Sequence, residues 1–227
     1  RHLSKWRRAP RGEADGRNGL SDYCPPTEVR ELEMLGAVYG RPELRTIDVE
    51  GDEYLFATRL YRSQDRRGEV VLAIQRPGER ILLHHKGWYE PGVYRLLTGG
   101  IGLEESVEEA LSRELAEETS LTLHTTRFLG VLDCHIHYRS QRLSFASFVF
   151  HLPCTEGSLR LPQTEDISDF REVSLADLPA VSAALRQVPP PRSGWGHWRA
   201  LAHDFVHEML VPGVTGAGCC TDPVEQR

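Results

Sequence analysis

A chain of 227 residues, 40% apolar and 26% charged, has the size and balance of one sizeable globular domain with appendages. Its net charge of -6 argues against nucleic acid as a partner, and no apolar run approaches the length of a membrane span. Five cysteines without a C-x-x-C pair point to neither a zinc site nor a disulfide framework, and the start RHLSKWRRAP lacks the apolar core of a signal peptide, so the expected location is the cytoplasm.

Residues 1–24 hold six Lys or Arg against three Asp or Glu and have almost no apolar periodicity, the pattern of a disordered basic arm. After Pro25-Pro26, Thr27 is placed to cap a short helix with the apolar stripe Val29, Leu32 and Leu35, ending near Gly36. From Glu43 the pattern turns to strand: residues 44–49 and 54–61 flank Glu50-Gly51-Asp52, which predicts a hairpin. A second hairpin is expected from residues 69–75 and 80–85, joined by Arg76-Pro77-Gly78-Glu79. Next comes the cluster His84-His85-Lys86-Gly87-Trp88-Tyr89, in which a cation beside aromatic faces suits a phosphate and a stacked base. Lys86 and Trp88 are therefore candidate substrate contacts, with an ordinary polar strand end as the competing reading. Residues 94–97 then form a short strand leading into a glycine-rich turn.

Residues 99–121, GGIGLEESVEEALSRELAEETSL, are the stretch with the most chemistry. Ser106 with Glu109 three residues on forms a capping box, so a helix should start there and run to about Thr119. At the helical period Val107, Ala110, Leu111 and Leu115 make an inward stripe, with Glu109, Ser112, Ala116 and Thr119 on the outer side. Glu114 and Glu118 fall inside the stripe and Glu117 on its flank. Carboxylates spaced i, i+3 and i+4 repel one another, and a helix C-terminus disfavours negative charge, so the cluster calls for a cation. Oxygen ligands on a helix suit a hard divalent ion such as magnesium or manganese, commonly bridged to phosphates. Arg113 lies one turn from Glu117 and can orient that carboxylate, and the glycines allow a backbone carbonyl to approach the ion.

These residues resemble the Nudix box, G-x5-E-x7-R-E-U-x-E-E-x-G-U with U a bulky aliphatic residue: Gly99, Glu105, then Arg113-Glu114-Leu115-Ala116-Glu117-Glu118-Thr119-Ser120-Leu121. Ser120 departs from the pattern, standing where the family has a glycine suited to a left-handed helix exit. The resemblance implies an α/β/α sandwich with a mixed sheet over residues 66–185, extended by the helix and hairpin of residues 25–65 and by a linker and helix over 186–211, with a disordered tail from 212 to 227. The first hairpin is extra to that domain, as an edge extension or a dimerisation element, so a homodimer is a candidate assembly.

Beyond the box, residues 128–138 and 143–152 read as two strands. His135 and His137 share a face of the first and are read as surface residues, with no metal assigned to them. Tyr138 lies at a spacing similar to a tyrosine that marks dinucleoside polyphosphate hydrolases in this family, with packing as the competing reading. Residues 163–169, then a strand at 170–173 and a capped helix start at Ser174, look like the acidic loop, strand and helix with which Nudix domains often close. Glu165 is the candidate there for a further metal ligand or general base, against a solvated loop acid. Pro189-Pro190-Pro191 is a stiff break, and Trp198, Leu201, Ala202, Phe205 and Met209 recur at helical spacing in a docked core helix.

The resemblance further implies magnesium- or manganese-dependent hydrolysis of a nucleoside diphosphate linked to another moiety, by water attack on phosphorus. In that scheme Glu114, Glu117, Glu118 and the Gly99 carbonyl bind metal, Arg113 orients the carboxylates, Glu105 supports the loop and helix junction, and a box glutamate or Glu165 acts as base. Two further classes stay open: a sensor that binds a nucleotide metabolite without cleaving it, and an enzyme similar to the prenyl diphosphate isomerases.

Overall fold

The run Glu69-Val70-Val71-Leu72-Ala73-Ile74 is apolar on both faces and sits where both faces are covered. It belongs to strand β2 (Arg66–Arg76), whose Val70, Leu72 and Ile74 enter one core while Val71 and Ala73 enter the other. This is the computed structural model of the chain, and it describes residues 26–62, 65–163 and 166–211. The basic arm, the tail from 212 and Glu165 lie outside the described residues.

The strands are β1 (Glu43–Glu50), β2, β3 (Arg80–Lys86), β4 (Leu97–Gly102), β5 (Thr122–Tyr138), β6 (Gln141–Glu156) and β7 (Ile167–Val173). They form a seven-stranded sheet in the order β1-β5-β6-β2-β3-β7, with β4 on β2. The sheet is mixed: β1 runs parallel to β5 and β2 parallel to β6, whereas β5 with β6, β2 with β4 and β3 with β7 are antiparallel. Strands β2 and β3 stay paired only at Gln75 with Ile81 and Arg76 with Arg80, beside the turn of the expected second hairpin, and then part. That divergence opens the sheet between β4 and β3.

Helices α1 (Pro26–Tyr39) and α3 (Val107–Thr119) cover one face, through Leu32 and Leu35 of α1 and Val107, Ala110, Leu111 and Leu115 of α3. Helices α2 (Glu53–Arg62), α4 (Leu178–Arg186) and α5 (Ser193–Leu210) cover the other, through Leu55 and Phe56, Leu178 and Leu185, and Trp195, Trp198 and Phe205. The architecture is the α/β/α sandwich with a mixed sheet that the sequence predicts.

Four local expectations are corrected. Residues 54–61 are helical, so the first hairpin does not exist. Asp52 Oδ1 caps α2 by accepting the Leu55 N–H at 2.8 Å, and Leu55, Phe56 and Arg59 are buried at helical rather than alternating spacing. Strand β1 instead crosses to pair in parallel with β5 as an edge extension of the sheet. Helix α1 starts at Pro26, so Thr27 is not its cap, and it passes Gly36 to end at Gly40 (φ +99°), whose N–H returns to the Gly36 carbonyl. The glycine-rich stretch is strand β4, not a turn, and of residues 94–96 only Arg95 bridges, to His84. Finally, Thr119 is buried rather than outer-facing, because it follows Leu115 by four residues and bonds its carbonyl.

Candidate functional site

The site begins at the junction of β4 and α3. Ser106 caps α3 as its sequence predicts: its side chain accepts the Glu109 N–H at 3.2 Å while Glu109 Oε2 accepts the Ser106 N–H at 2.9 Å. Glu105 Oε2 accepts the Gly102 N–H at 2.9 Å, which fixes the turn from strand into helix. At the far end Ser120 takes the left-handed conformation, φ 63°, with its N–H on the Ala116 carbonyl. A non-glycine residue there costs about 1 to 2 kcal/mol.

Arg113 ties this corner together. Its Nε and Nη2 grip Glu105 at 2.7 and 3.0 Å, Nη1 reaches Glu114 at 2.8 Å and Glu117 at 3.0 Å, and Nη2 also donates to the Gly100 carbonyl at 2.9 Å. Its guanidinium pKa is raised above the ordinary arginine range, first by the bond to Glu105. The same bond holds the Glu105 carboxyl below the usual carboxylate range.

The three box carboxylates differ in setting. Glu117 is exposed, Glu114 is largely covered, and the Glu118 side chain is only 2% exposed. Burial raises the Glu114 pKa against the pull of Arg113, and pushes Glu118 up to about 7 against the pull of Lys86 and Arg95. Lys86 Nζ stands 3.4 Å from Glu118 Oε1, while Glu118 Oε2 is buried without a hydrogen-bond partner among the described residues. A Cβ at Gly99 would lie 1.8 Å from Glu114 Cδ, so the Glu114 carboxylate occupies the space that any side chain at position 99 would need.

Beside this corner, where β3 and β4 part, lies an open cleft of about 280 Å³ bounded by Lys86, Trp88, Thr98, Gly99, Gly100 and Asp166 and closed by α2 and α5. Sequence reasoning missed most of its lining: Arg59, Arg66, Glu69, Arg95, Trp195 and Arg199. Arg199 Nη1 bonds both Glu69 oxygens, at 2.8 and 2.9 Å, and Ser147 Oγ donates to Glu69 at 2.8 Å. His203 accepts the Leu96 N–H on Nε2 at 2.9 Å and donates from Nδ1 to the Arg199 carbonyl at 2.9 Å, a neutral imidazole whose pKa burial pushes down to about 4. One signal was available: Trp195, Arg199 and His203 recur every four residues and so share one face of the helix.

Of the predicted contacts, Lys86 and Trp88 line the cleft, and Trp88 packs on Tyr89 and Trp195 with ring centroids 4.5 and 5.6 Å apart. Tyr138 is not brought to it; its ring packs on Phe56 at 5.9 Å, where β5 meets α2. His137 bonds Asp48 and His135 bonds Asp133, away from the cleft.

Among the described residues no three His, Cys, Asp or Glu side chains converge as a ready-made metal cage, and Arg113 and Lys86 hold the carboxylate oxygens in this conformation. The donors nevertheless fit a hard cation: they are all oxygen, two of the carboxyls are raised by desolvation, and one buried carboxylate oxygen has no partner among the described residues. No helix among the described residues is long and apolar enough to cross a membrane.

The chain is similar to curated proteins named NAD-capped RNA hydrolase NudC. It is 31% identical to that of Stutzerimonas stutzeri over 121 residues, 52% of this chain and 40% of the relative. It is 29% identical to that of Pseudomonas syringae pv. syringae over 161 residues, 69% of this chain and 53% of the relative. The chain thus spans about half the length, or less, of these relatives. A solved MutT NUDIX hydrolase from Burkholderia pseudomallei aligns at a TM-score of 0.44 and 24% identity over 62% of this chain and 98% of that one. A family model described as NUDIX domain matches residues 57–193, more than half of the sequence and all of the box corner, and the chain belongs to the Nudix hydrolase superfamily.

Proposed function

We propose that the chain is a pyrophosphohydrolase that cleaves a nucleoside diphosphate linked to another moiety, by attack of water on phosphorus with a divalent cation bound. The observation that carries this reading is Glu118, a buried carboxylate with one oxygen that has no partner among the described residues, set beside a Glu114 carboxylate seated on Gly99. Such a pair is costly in a fold unless a cation completes it. Glu114, Glu117, Glu118 and the Gly99 carbonyl would hold magnesium or manganese, which when bound supplies charge for the diphosphate oxygens and a more acidic water.

The chain's own residues do the rest. Arg113 holds Glu105, Glu114 and Glu117 in one frame, so that their rotamers are set before substrate arrives. Lys86 shares Glu118 now and stands where it can meet a phosphate oxygen once the carboxylate is engaged by the cation. Trp88, flanked by Tyr89 and Trp195, offers an exposed aromatic face for a base. A box glutamate or Glu165 takes the proton from the attacking water. The relatives named for hydrolysis of NAD-capped RNA support a dinucleoside diphosphate as the substrate class. The free Cys134 and Cys154 thiols support a reducing compartment, the cytoplasm.

The test is a panel of nucleotide sugars, dinucleoside polyphosphates, nucleoside triphosphates and ADP-ribose, assayed with magnesium and after chelation. Phosphate-containing products from at least one compound, lost on chelation, are expected. No turnover on any compound, with tight binding of one, would replace the hydrolase by a sensor.

A further inference from the structure

The cleft beside the box corner carries more positive charge than a single diphosphate requires. Its lining includes Arg59, Arg66, Lys86, Arg95 and Arg199 against the carboxylates of Glu69 and Asp166. Arg199 is balanced by Glu69 at 2.8 Å, and Lys86 is paired with Glu118. Arg95 is different. Its residue is 5% exposed, and its Nε donates to Tyr89 Oη at 2.5 Å while Nη1 donates to the Leu96 carbonyl and Thr98 Oγ1, both at 2.9 Å. All three acceptors are neutral.

Two nitrogens of the guanidinium are therefore tied, which fixes its plane. The third, Nη2, has no acceptor among the described residues, and Nε of Arg199 is buried without one. Glu118 attracts the Arg95 guanidinium through space, but no carboxylate is hydrogen-bonded to it, and a buried guanidinium so placed is stabilised by an anion that enters and bonds it. A planar fork with its rotamer already locked suits a phosphate's oxygens and loses little entropy in holding them.

The position of the pair sets the ligand class. Arg95 lies between the box corner and α5, and both arginines face the same cleft as Thr98, Gly99 and Gly100. A substrate whose diphosphate sits on the box carboxylates must extend its second moiety either toward Trp88 or toward this floor.

We propose that Arg95 and Arg199 form a second anion subsite, which takes a phosphate group carried by the substrate in addition to the scissile diphosphate. This deepens the hydrolase reading and rests on it for the identity of the scissile bond, but not for the existence of the subsite. The preferred substrates are then dinucleoside diphosphates or nucleotide sugars bearing a further phosphomonoester, over the same compounds without it.

Two measurements test this. Inorganic phosphate is titrated calorimetrically into the metal-free protein in EDTA, with wild type, Arg95→Gln and Arg199→Lys compared. Saturable binding by wild type is expected, weakened about tenfold or more in Arg95→Gln, the loss of one charge-assisted contact. In parallel, hydrolysis of a dinucleoside diphosphate is compared with that of the same compound carrying an added sugar phosphate. Wild type should prefer the phosphorylated compound in kcat/KM, and Arg95→Gln should lose that preference. Absence of phosphate binding by wild type overturns the proposal, as does equal binding by a folded Arg95→Gln. If Arg95→Gln does not fold, phosphate protection of wild-type Arg95 from phenylglyoxal decides, and equal labelling with and without phosphate overturns it. Phosphate bound at Arg95 by a protein that hydrolyses nothing would uphold the subsite and remove the hydrolase reading.

Discussion

The two walls of the site, the box corner on α3 and the α5 side of the cleft beside it, are built from opposite charges left incomplete in opposite ways. On the α3 wall, Glu118 keeps a buried oxygen without a partner among the described residues, and its carboxyl is pushed up to about 7. On the α5 wall, Arg95 keeps Nη2 without an acceptor among the described residues, and behind it His203 is buried neutral with its pKa pushed down to about 4. Each wall would be relieved by a partner of the other's sign, yet among the described residues Arg95 and Glu118 share no hydrogen bond. The contrast teaches where to look in such a fold: polar groups that packing has enclosed but not satisfied mark the ligand's place, and the sign on each wall names the part of the ligand that belongs there.

The largest effect that can break this comparison comes from the carboxylate wall. Glu117→Gln changes an exposed side chain and should leave the fold intact while lowering turnover on the best panel substrate by about a hundredfold or more. Retained turnover would remove Glu117 from the cation's ligands. Close behind is Gly99→Ala, whose methyl falls on the Glu114 side chain and must push that carboxylate aside. A loss of about a hundredfold in kcat/KM is expected, as for a catalytic group displaced by about 1 Å. Unchanged kinetics would mean that the seat of Glu114 on Gly99 does not matter.

The walls should also titrate in opposite senses, which is read from unfolding free energy against pH in metal-free buffer. His203 has a folded pKa of about 4 below its ordinary 6.5. The unfolded chain therefore binds the proton first, and stability present above pH 6.5 is lost as pH falls toward 4, by about 2 kcal/mol at pH 5. Glu118 has a folded pKa of about 7 above its ordinary 4.5, so its contribution is present below pH 4.5 and lost as pH rises to 7. His203→Gln should lose less stability than wild type between pH 7.5 and 5, and Glu118→Gln less between pH 5 and 7.5. Parallel curves for all three proteins would refute the assignment.

The smallest effect sharpens the comparison by touching neither wall. Ser120→Gly relieves a left-handed serine at about 1 to 2 kcal/mol and costs some backbone entropy in the unfolded chain, for a net gain of about 0.5 to 1 kcal/mol. Thermal unfolding should move up by a few degrees with kcat/KM unchanged. A fall in stability would show that the Ser120 side chain has a role of its own at the helix exit.

The α3 wall was legible in the sequence because its signals are local. Ser106 with Glu109, the carboxylates inside an apolar stripe and the odd Ser120 all lie within a few turns of one helix, and each has the geometry its spacing requires. The α5 wall was not, because its residues come from β2, the segment just before β4, and α5, and meet only after β3 and β2 have diverged. Arg95 looked like one residue of a short strand, and Glu69 like the polar start of an apolar one. Residues 54–61 failed for a related reason: aromatic and β-favouring residues after Gly51 suggested a hairpin, and the capping by Asp52 outweighed that propensity.

Asp52 has one more consequence. Its Oδ1 holds the first turn of α2, while Oδ2 accepts the Gly194 N–H at 2.6 Å and the Ser193 hydroxyl at 3.2 Å at the start of α5. A single carboxylate thus rivets together the two helices that close the cleft, although Asp52 and Gly194 lie 142 positions apart in the sequence. Helices pinned at a common root open together or not at all. Amide exchange along α2 and α5 should therefore follow one shared opening event in the wild type, and separate into two in Asp52→Ala.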